Sequence, residues 1–411
     1  MQSAAEEYVR LALALGRHDP DFIDAYFGPP HWKGEAEREA RPLARIRTDA
    51  AALAERIAGL PAGVEEIDEL RRRFLGRQVA ALAARAEIVA GKRLPFDEES
   101  RLLYDAVAPA HGEDHFRRLR SRLEDELPGT GPLAARYLDF RTGFAIPPER
   151  VDRVFRTAIG AARERTVRHI ALLPEESFVV EYVGGRPWSG YNWYQGGFRS
   201  VIQVNTDLPI FVERAIDLAC HEGYPGHHVY NVLLEKRLAR DRGWIEFEVY
   251  PLFSPESLIA EGSANFGIDV AFPGAERLEF ERDVVYPLAG LDPLRAEGYE
   301  RVRALTEGLS YAGNEAARRY LDGAIDARSA AEWLVEYALL SPAQAAQRVR
   351  FIDRYRSYVV NYNLGKDLVR EWIEARGGTP DAPELRWKLF ETLLASPRLP
   401  SELTRGSVRN S

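Results

Sequence analysis

Apolar residues recur every three or four positions along most of this chain, which is the period of an α-helix. Near the start Tyr8, Leu11, Ala12 and Leu15 share one helical face, and Ser3 with Glu6 has the spacing of a capping box ahead of them. After the break at Gly28-Pro29-Pro30, helical periods run over 44–60, 64–89, 98–107, 114–127 and 148–172, separated by Pro or Gly. Residues 1–175 are therefore expected to form an N-terminal helical region. The period then changes to two. Ser177 to Val183, 188–194 and 199–204 read as strands, with Gly184-Gly185 as the turn of a hairpin between the first two. Asn205, Thr206 and Asp207 supply caps, Leu208-Pro209 opens the next helix, and Ser254-Pro255 opens another. Residues 274–395 are helical again, including a long segment from Ser341-Pro342, and the tail beyond Pro400 reads as frayed. The expected fold class is mainly α, a multi-helix domain with one small antiparallel β-sheet. Residues 176–400 form a second region, packed intimately on the first.

Composition narrows the function. The 63 acidic residues outnumber the 55 basic ones, and the net charge of -8 offers no dense positive surface for nucleic acid. A single cysteine, Cys220, excludes an intramolecular disulfide and reads as a small buried residue. No apolar run is long enough to span a bilayer, and the first residues lack the basic and apolar segments of a secretory signal, so a cytoplasmic protein without membrane partners is expected. The oligomeric state is not readable.

Three of the eight histidines fall within His221-Glu222-Gly223-Tyr224-Pro225-Gly226-His227-His228. Zinc hydrolases commonly place two histidine ligands at i and i+4, with the glutamate after the first acting as base. Here Pro225 occupies i+4, and six residues of regular helix rise about 9 Å, so an unbroken helix cannot bring His221 and His227 to one ion. If they share a metal, the Pro225-Gly226 pair must loop residues out. His228, at i+7, is the alternative ligand. A third ligand is offered by Glu261, set among Leu258, Ile259, Ala260 and Ala264, where Gly262 and Ala264 allow another backbone to approach closely. Asn265, Asp269 and Asp217 lie one or two turns from the ligand candidates, where they can orient the imidazoles. A Pro-kinked helix with hydrogen-bonded histidines, and a glutamate paired with arginine, are the other readings.

These residues resemble a bacterial domain-of-unknown-function family grouped with the zincin peptidases, whose signature is HExxPGH followed by an EGxA helix. The resemblance runs from about Tyr191 to Gly365 and includes Asn205-Thr206-Asp207-Leu208-Pro209 and the Tyr-x-x-Gly of Tyr362 to Gly365. The chain departs from the family at Ser263, at Phe266 and at Arg356-Ser357-Tyr358-Val359, where Trp, Tyr and Pro-Gly-Gln-Ala are usual. The resemblance implies a zincin-like fold, one Zn²⁺ per chain and hydrolysis of peptides.

On that reading His221, His227 and Glu261 hold the metal and Glu222 is the base. Tyr355, Tyr358 and Tyr362 recur at i, i+3 and i+7, so Tyr358 or Tyr362 can stabilise the developing oxyanion, although the same stripe describes a core face. Trp188, Tyr191, Trp193 and Tyr194 either line a substrate cleft or pack beneath a helix. Mn²⁺ or Co²⁺ can replace Zn²⁺ in such a set. Another amide or ester as substrate, and a non-catalytic metal-binding scaffold, are the competing functions. Glu222 argues against the scaffold, because a structural site has no use for a base beside its ligand. No charged residue is recognisable as a reader of a peptide terminus.

Overall fold

The computed structural model describes residues 1–186 and 188–404, and within them the chain is mainly α-helical with two small sheets. The expected helices appear at Leu43–Ala58, Glu66–Val89, Phe96–Tyr104, Glu113–Glu126 and Pro148–Val167. Their apolar stripes turn inward, as Ile46, Ala50, Leu53 and Ile57 do on the first of these. The first helix, Gln2–Gly16, begins at Met1 with no side-chain cap, so Ser3 lies inside it and the capping-box expectation fails. Helices Pro30–Glu39 and Leu133–Thr142 lie outside the expected set. Their sequences are too polar or too short to show a clear period.

Two further strands carry no alternating pattern: β1 (Ile23–Tyr26) pairs antiparallel with a strand near residue 250. The other sheet contains β2 (Ser177–Val183), β3 (Gly190–Gly196) and β4 (Arg199–Asn205), in the order β2-β4-β3. β3 and β4 are antiparallel, joined through Gly196 and Gly197 at positive φ, while β2 runs parallel to β4. Gly184-Gly185 therefore does not close a hairpin. The β2-to-β3 connection crosses over, held by Asp207, whose carboxylate accepts the Gly185 N–H at 2.6 Å. The partner of β1 is β5 (Val249–Pro251).

One hydrophobic core takes residues from Ala4 through Ile170 and from Ile202 through Leu403, so it ignores any division at 175. A second core joins Phe116, Leu123 and Leu133 to Val302, Trp333 and Val349, again from both halves of the sequence. The helix Pro255–Ala271 lies deepest, with nearly every residue buried. It crosses the helix Val360–Glu374 at Gly262 and Gly365. A Cβ on Gly262 would sit 2.4 Å from the Gly365 carbonyl carbon and oxygen, so the crossing demands glycine. Residues 400–403 are helical, and the part of the tail beyond 404 lies outside the described residues. No helix among the described residues is long and apolar enough to cross a membrane.

Candidate metal centre

The helix expected from Leu208-Pro209 begins only at Glu213, runs regularly to Leu218, and then widens. The Tyr224 N–H reaches back five residues to the Ala219 carbonyl, and the Gly226 N–H reaches back six to that of Cys220. Pro225, with no N–H to donate, follows a cis peptide bond, and a new helix starts at His227. The looped-out residues bring His227 beside His221. Their Nε2 atoms are 3.1 Å apart.

Glu261 completes the group from the buried helix. Its Oε2 lies 3.3 Å from His221 Nε2 and 3.8 Å from His227 Nε2. Three ligands at about 2.0–2.1 Å from one tetrahedral ion would be spaced about 3.3 Å apart, and the spacings found bracket that value. Oε2 is also a buried carboxylate oxygen that takes no hydrogen bond, whereas Oε1 accepts one from the Tyr358 hydroxyl at 2.8 Å. A buried anionic oxygen with no donor, facing two imidazole nitrogens, suits a cation. His221 and His227 keep 15% and 14% of their side-chain surface open, so solvent reaches the group.

Neighbours hold the candidate ligands in place. Asn265 Oδ1 lies 3.1 Å from His221 Nδ1, and its amide donates to the Tyr362 carbonyl at 3.0 Å, which ties the imidazole to the helix Val360–Glu374. Two expected supports act elsewhere. Asp217 accepts from Arg277 at 2.8 Å, and Asp269 pairs with Lys366 at 3.0 Å, because a nearby cation outcompetes a more distant imidazole. His228, the alternative ligand candidate, lies outside the group formed by His221, His227 and Glu261. It is fully buried with Nδ1 on the Ser200 hydroxyl and Nε2 on Glu176, both at 2.9 Å. Glu176, which no motif marks, also accepts from Tyr224 and Arg163 and so anchors the widened turn to the sheet.

The charges are strongly coupled. Burial raises Glu222 to about 7, and Glu261 pushes the same way against the charge of His221. Burial and the charge of His221 lower His227 to about 4, leaving its ring neutral. On His221, burial is outweighed by the Glu261 carboxylate beside it and by the charge of Glu222, and its pKa rises. Burial likewise opposes ionisation of Glu261, but His221, His227 and Tyr358 prevail and hold its pKa down.

Glu222 is placed by the sheet. Asn192 on β3 donates to the Glu222 carbonyl at 2.7 Å. A Cβ on Gly190 would meet Glu222 Oε1 at 2.9 Å and Leu218 at 2.6 Å, so any larger residue there would displace the Glu222 carboxylate and the Leu218 side chain. A glycine at the start of a strand pattern was the available signal. The aromatic cluster divides by strand face. Trp188 stacks on Tyr191, which meets Trp193 edge-on, while Tyr194 points to the opposite face and donates to Glu235 at 2.5 Å. Tyr191 donates to Asp24 on β1. Asp24 is a site carboxylate that no local pattern marked. Burial and the charges of Glu261 and Glu222 raise it to about 7.

Tyr355, Tyr358 and Tyr362 do not share a continuous helix. The helix Pro342–Tyr355 stops at Arg356, whose φ is 51°, and a tight turn precedes Val360–Glu374. Glu99 accepts from Arg356 Nε at 2.5 Å and from the Ser357 N–H and hydroxyl at 3.1 and 2.7 Å. Thus the segment that departs from the family pattern is a pinned turn that aims Tyr358 at Glu261. Tyr362 packs 5.7 Å from Tyr358, centroid to centroid. Cys220 is fully buried.

No family description matches the chain. No curated protein matches it. Among solved structures it is similar to "the putative lipoprotein from Colwellia psychrerythraea", at TM-score 0.56 and 15% identity over 94% of this chain and 80% of that one. A second, "a putative lipoprotein of unknown function from Shewanella oneidensis", matches at TM-score 0.44 and 12% identity over 88% and 76%. The first likeness concerns the fold alone.

Proposed function

We propose that this protein is a zinc-dependent hydrolase of peptide bonds in small peptides or unfolded segments. The observation that carries the reading is the convergence of His221 Nε2, His227 Nε2 and Glu261 Oε2, with Glu222 the residue next to a ligand. A bound Zn²⁺ would act as a Lewis acid, acidifying water and polarising a carbonyl. His221, His227 and Glu261 would hold it, and Asn265 and Tyr358 keep two of these ligands in register.

Glu222 takes a proton from the attacking water as oxygen bonds to the carbonyl carbon. It then returns that proton to the nitrogen as the C–N bond breaks, leaving an amine and a carboxylic acid that gives its remaining proton to solvent. Burial favours this role, because a carboxyl raised toward neutrality holds a proton more readily than a solvated one. Tyr358 is engaged with Glu261, so Tyr362 is the better placed of the two hydroxyls to steady the developing oxyanion. Edge strand β3 beside Glu222 offers its backbone to an extended substrate, with Tyr191 and Trp193 along it.

The test is elemental analysis of untagged protein, followed by a mixed-peptide digest read by mass spectrometry. Near-stoichiometric zinc and cleaved peptides are expected. A metal-free protein that neither takes up zinc nor cuts any peptide refutes the reading.

A further inference from the structure

Arg348 belongs to no ion pair among the described residues, although the protein pairs most of its enclosed arginines. It lies on the helix Pro342–Tyr355, on the face shared with Phe351 and Tyr355. Its guanidinium carbon is 4.8 Å from the centre of the Phe351 ring and 5.9 Å from that of Tyr362. Only Tyr362 offsets the burial of its charge. Leaving a guanidinium between two rings with no anion is costly, whereas Arg71, Arg85 and Arg356 each hold a carboxylate at 2.5–2.6 Å.

Position supplies the second observation. Tyr362 links Arg348 to the metal centre, since its ring lies 5.9 Å from the guanidinium and packs 5.7 Å from Tyr358, whose hydroxyl donates to Glu261. Three carboxylates face the centre, with Glu261 and Glu222 acting on Asp24 and Glu261 acting on Glu222, while the other cation that acts there, Arg214, lies 3.7 Å from Asp217 and donates to Ser189. Arg348 is thus the cation beside the centre that has no anion of its own among the described residues.

The geometry points to Arg348 as the group that binds the free C-terminal carboxylate of a peptide, making the enzyme one that trims from the C terminus. This rests on the hydrolase reading above and adds a direction to it. One residue of extended chain spans about 3.3–3.6 Å, so a fixed distance between the centre and the guanidinium fixes how many residues each cut releases. Planar guanidinium matches carboxylate through two parallel hydrogen bonds, which an amide end cannot reproduce. Arg348 determines specificity and takes no part in proton transfer.

The test separates binding from turnover. An N-acetylated tripeptide with a free carboxylate, and the same tripeptide as a C-terminal amide, are titrated calorimetrically into zinc-loaded Glu222→Gln protein. The acid is expected to bind at least about tenfold more tightly, a preference lost when Arg348→Gln is added and partly kept with Arg348→Lys. Arg348→Gln should melt no lower than its parent, because it removes an unpaired charge; a role confined to packing would lower the melting temperature. With wild-type enzyme, mass spectrometry should find products shortened at the C terminus by one fixed number of residues. Equal binding of acid and amide, binding of neither, or a preference that survives Arg348→Gln overturns the assignment. Cleavage of the amide as fast as the acid overturns it while leaving the hydrolase standing. An Arg348-dependent preference without any cleavage upholds the assignment and removes the hydrolase.

Discussion

Glu256 offers a quantitative test of how the protein carries charge in its core. It opens the buried helix Pro255–Ala271, is only 4% exposed, and has Gln78 Nε2 at 3.3 Å as its hydrogen-bond donor. Burial, reinforced by the charge of Glu246, raises its pKa from 4.5 to about 8. The folded state therefore holds this proton more tightly than the unfolded chain, and stability is lost as pH rises from 4.5 through 8. A tenfold change in a proton-binding constant is worth about 1.4 kcal/mol, so the penalty is about 1 kcal/mol at pH 5 and reaches about 4 kcal/mol by pH 8. Glu256→Gln keeps the volume and removes the charge. Its gain in stability should be about 4 kcal/mol at pH 8 and about 1 kcal/mol at pH 5. Urea unfolding of metal-free wild type and variant at both pH values measures this difference, and other titrating groups cancel between the two proteins. An equal gain at the two pH values, or a loss at pH 8, would show that Glu256 is ionised comfortably and that the burial reasoning is wrong.

Other outcomes follow from the centre itself. Glu222→Gln should retain zinc and lose about 10²–10⁴ in turnover; near-normal turnover with zinc bound would move the chemistry elsewhere. Single alanine changes at His221, His227 and Glu261 should each abolish stoichiometric zinc, whereas His228→Ala should keep the metal and lose about 2–4 kcal/mol of stability through Glu176. The reverse pattern in elemental analysis would exchange the two histidines. Gly262→Ala should cost about 1–3 kcal/mol in denaturant unfolding, because its Cβ would collide with the Gly365 backbone and push two helices apart; a variant as stable as wild type would contradict the close crossing. Tyr358→Phe should weaken zinc binding about tenfold in chelator competition by freeing Glu261 Oε1, and unchanged affinity would mean that the hydroxyl does not position the ligand.

Local chemistry made much of this protein legible in one dimension. Helical periods placed the main helices, Ser254-Pro255 and Ser341-Pro342 marked helix starts, and the missing N–H of Pro225 located the widened turn. Gly262 announced a close helix crossing because absence of a side chain is itself a local property. Long-range partners were not legible. Asp217 and Asp269 stood at the right spacing for imidazoles, yet Arg277 and Lys366 claim them. The strand order β2-β4-β3 depends on pairing energies between segments, and a Gly-Gly dipeptide permits a turn without requiring one. Arg356 halts the tyrosine helix because Glu99, more than 250 residues earlier, holds the turn. His227 and His228 are adjacent in sequence. Which of them turns to Glu261 was settled by Glu176, whose buried charge takes the other ring. Asp24 and Arg348 carry no local signature, since a charged residue reveals a role only when folding shows what faces it. Sequence alone determined the elements and the chemical candidates, through interactions spanning a few residues. Tertiary structure decided partners and directions, because buried charges are satisfied by whatever the fold brings within about 3 Å.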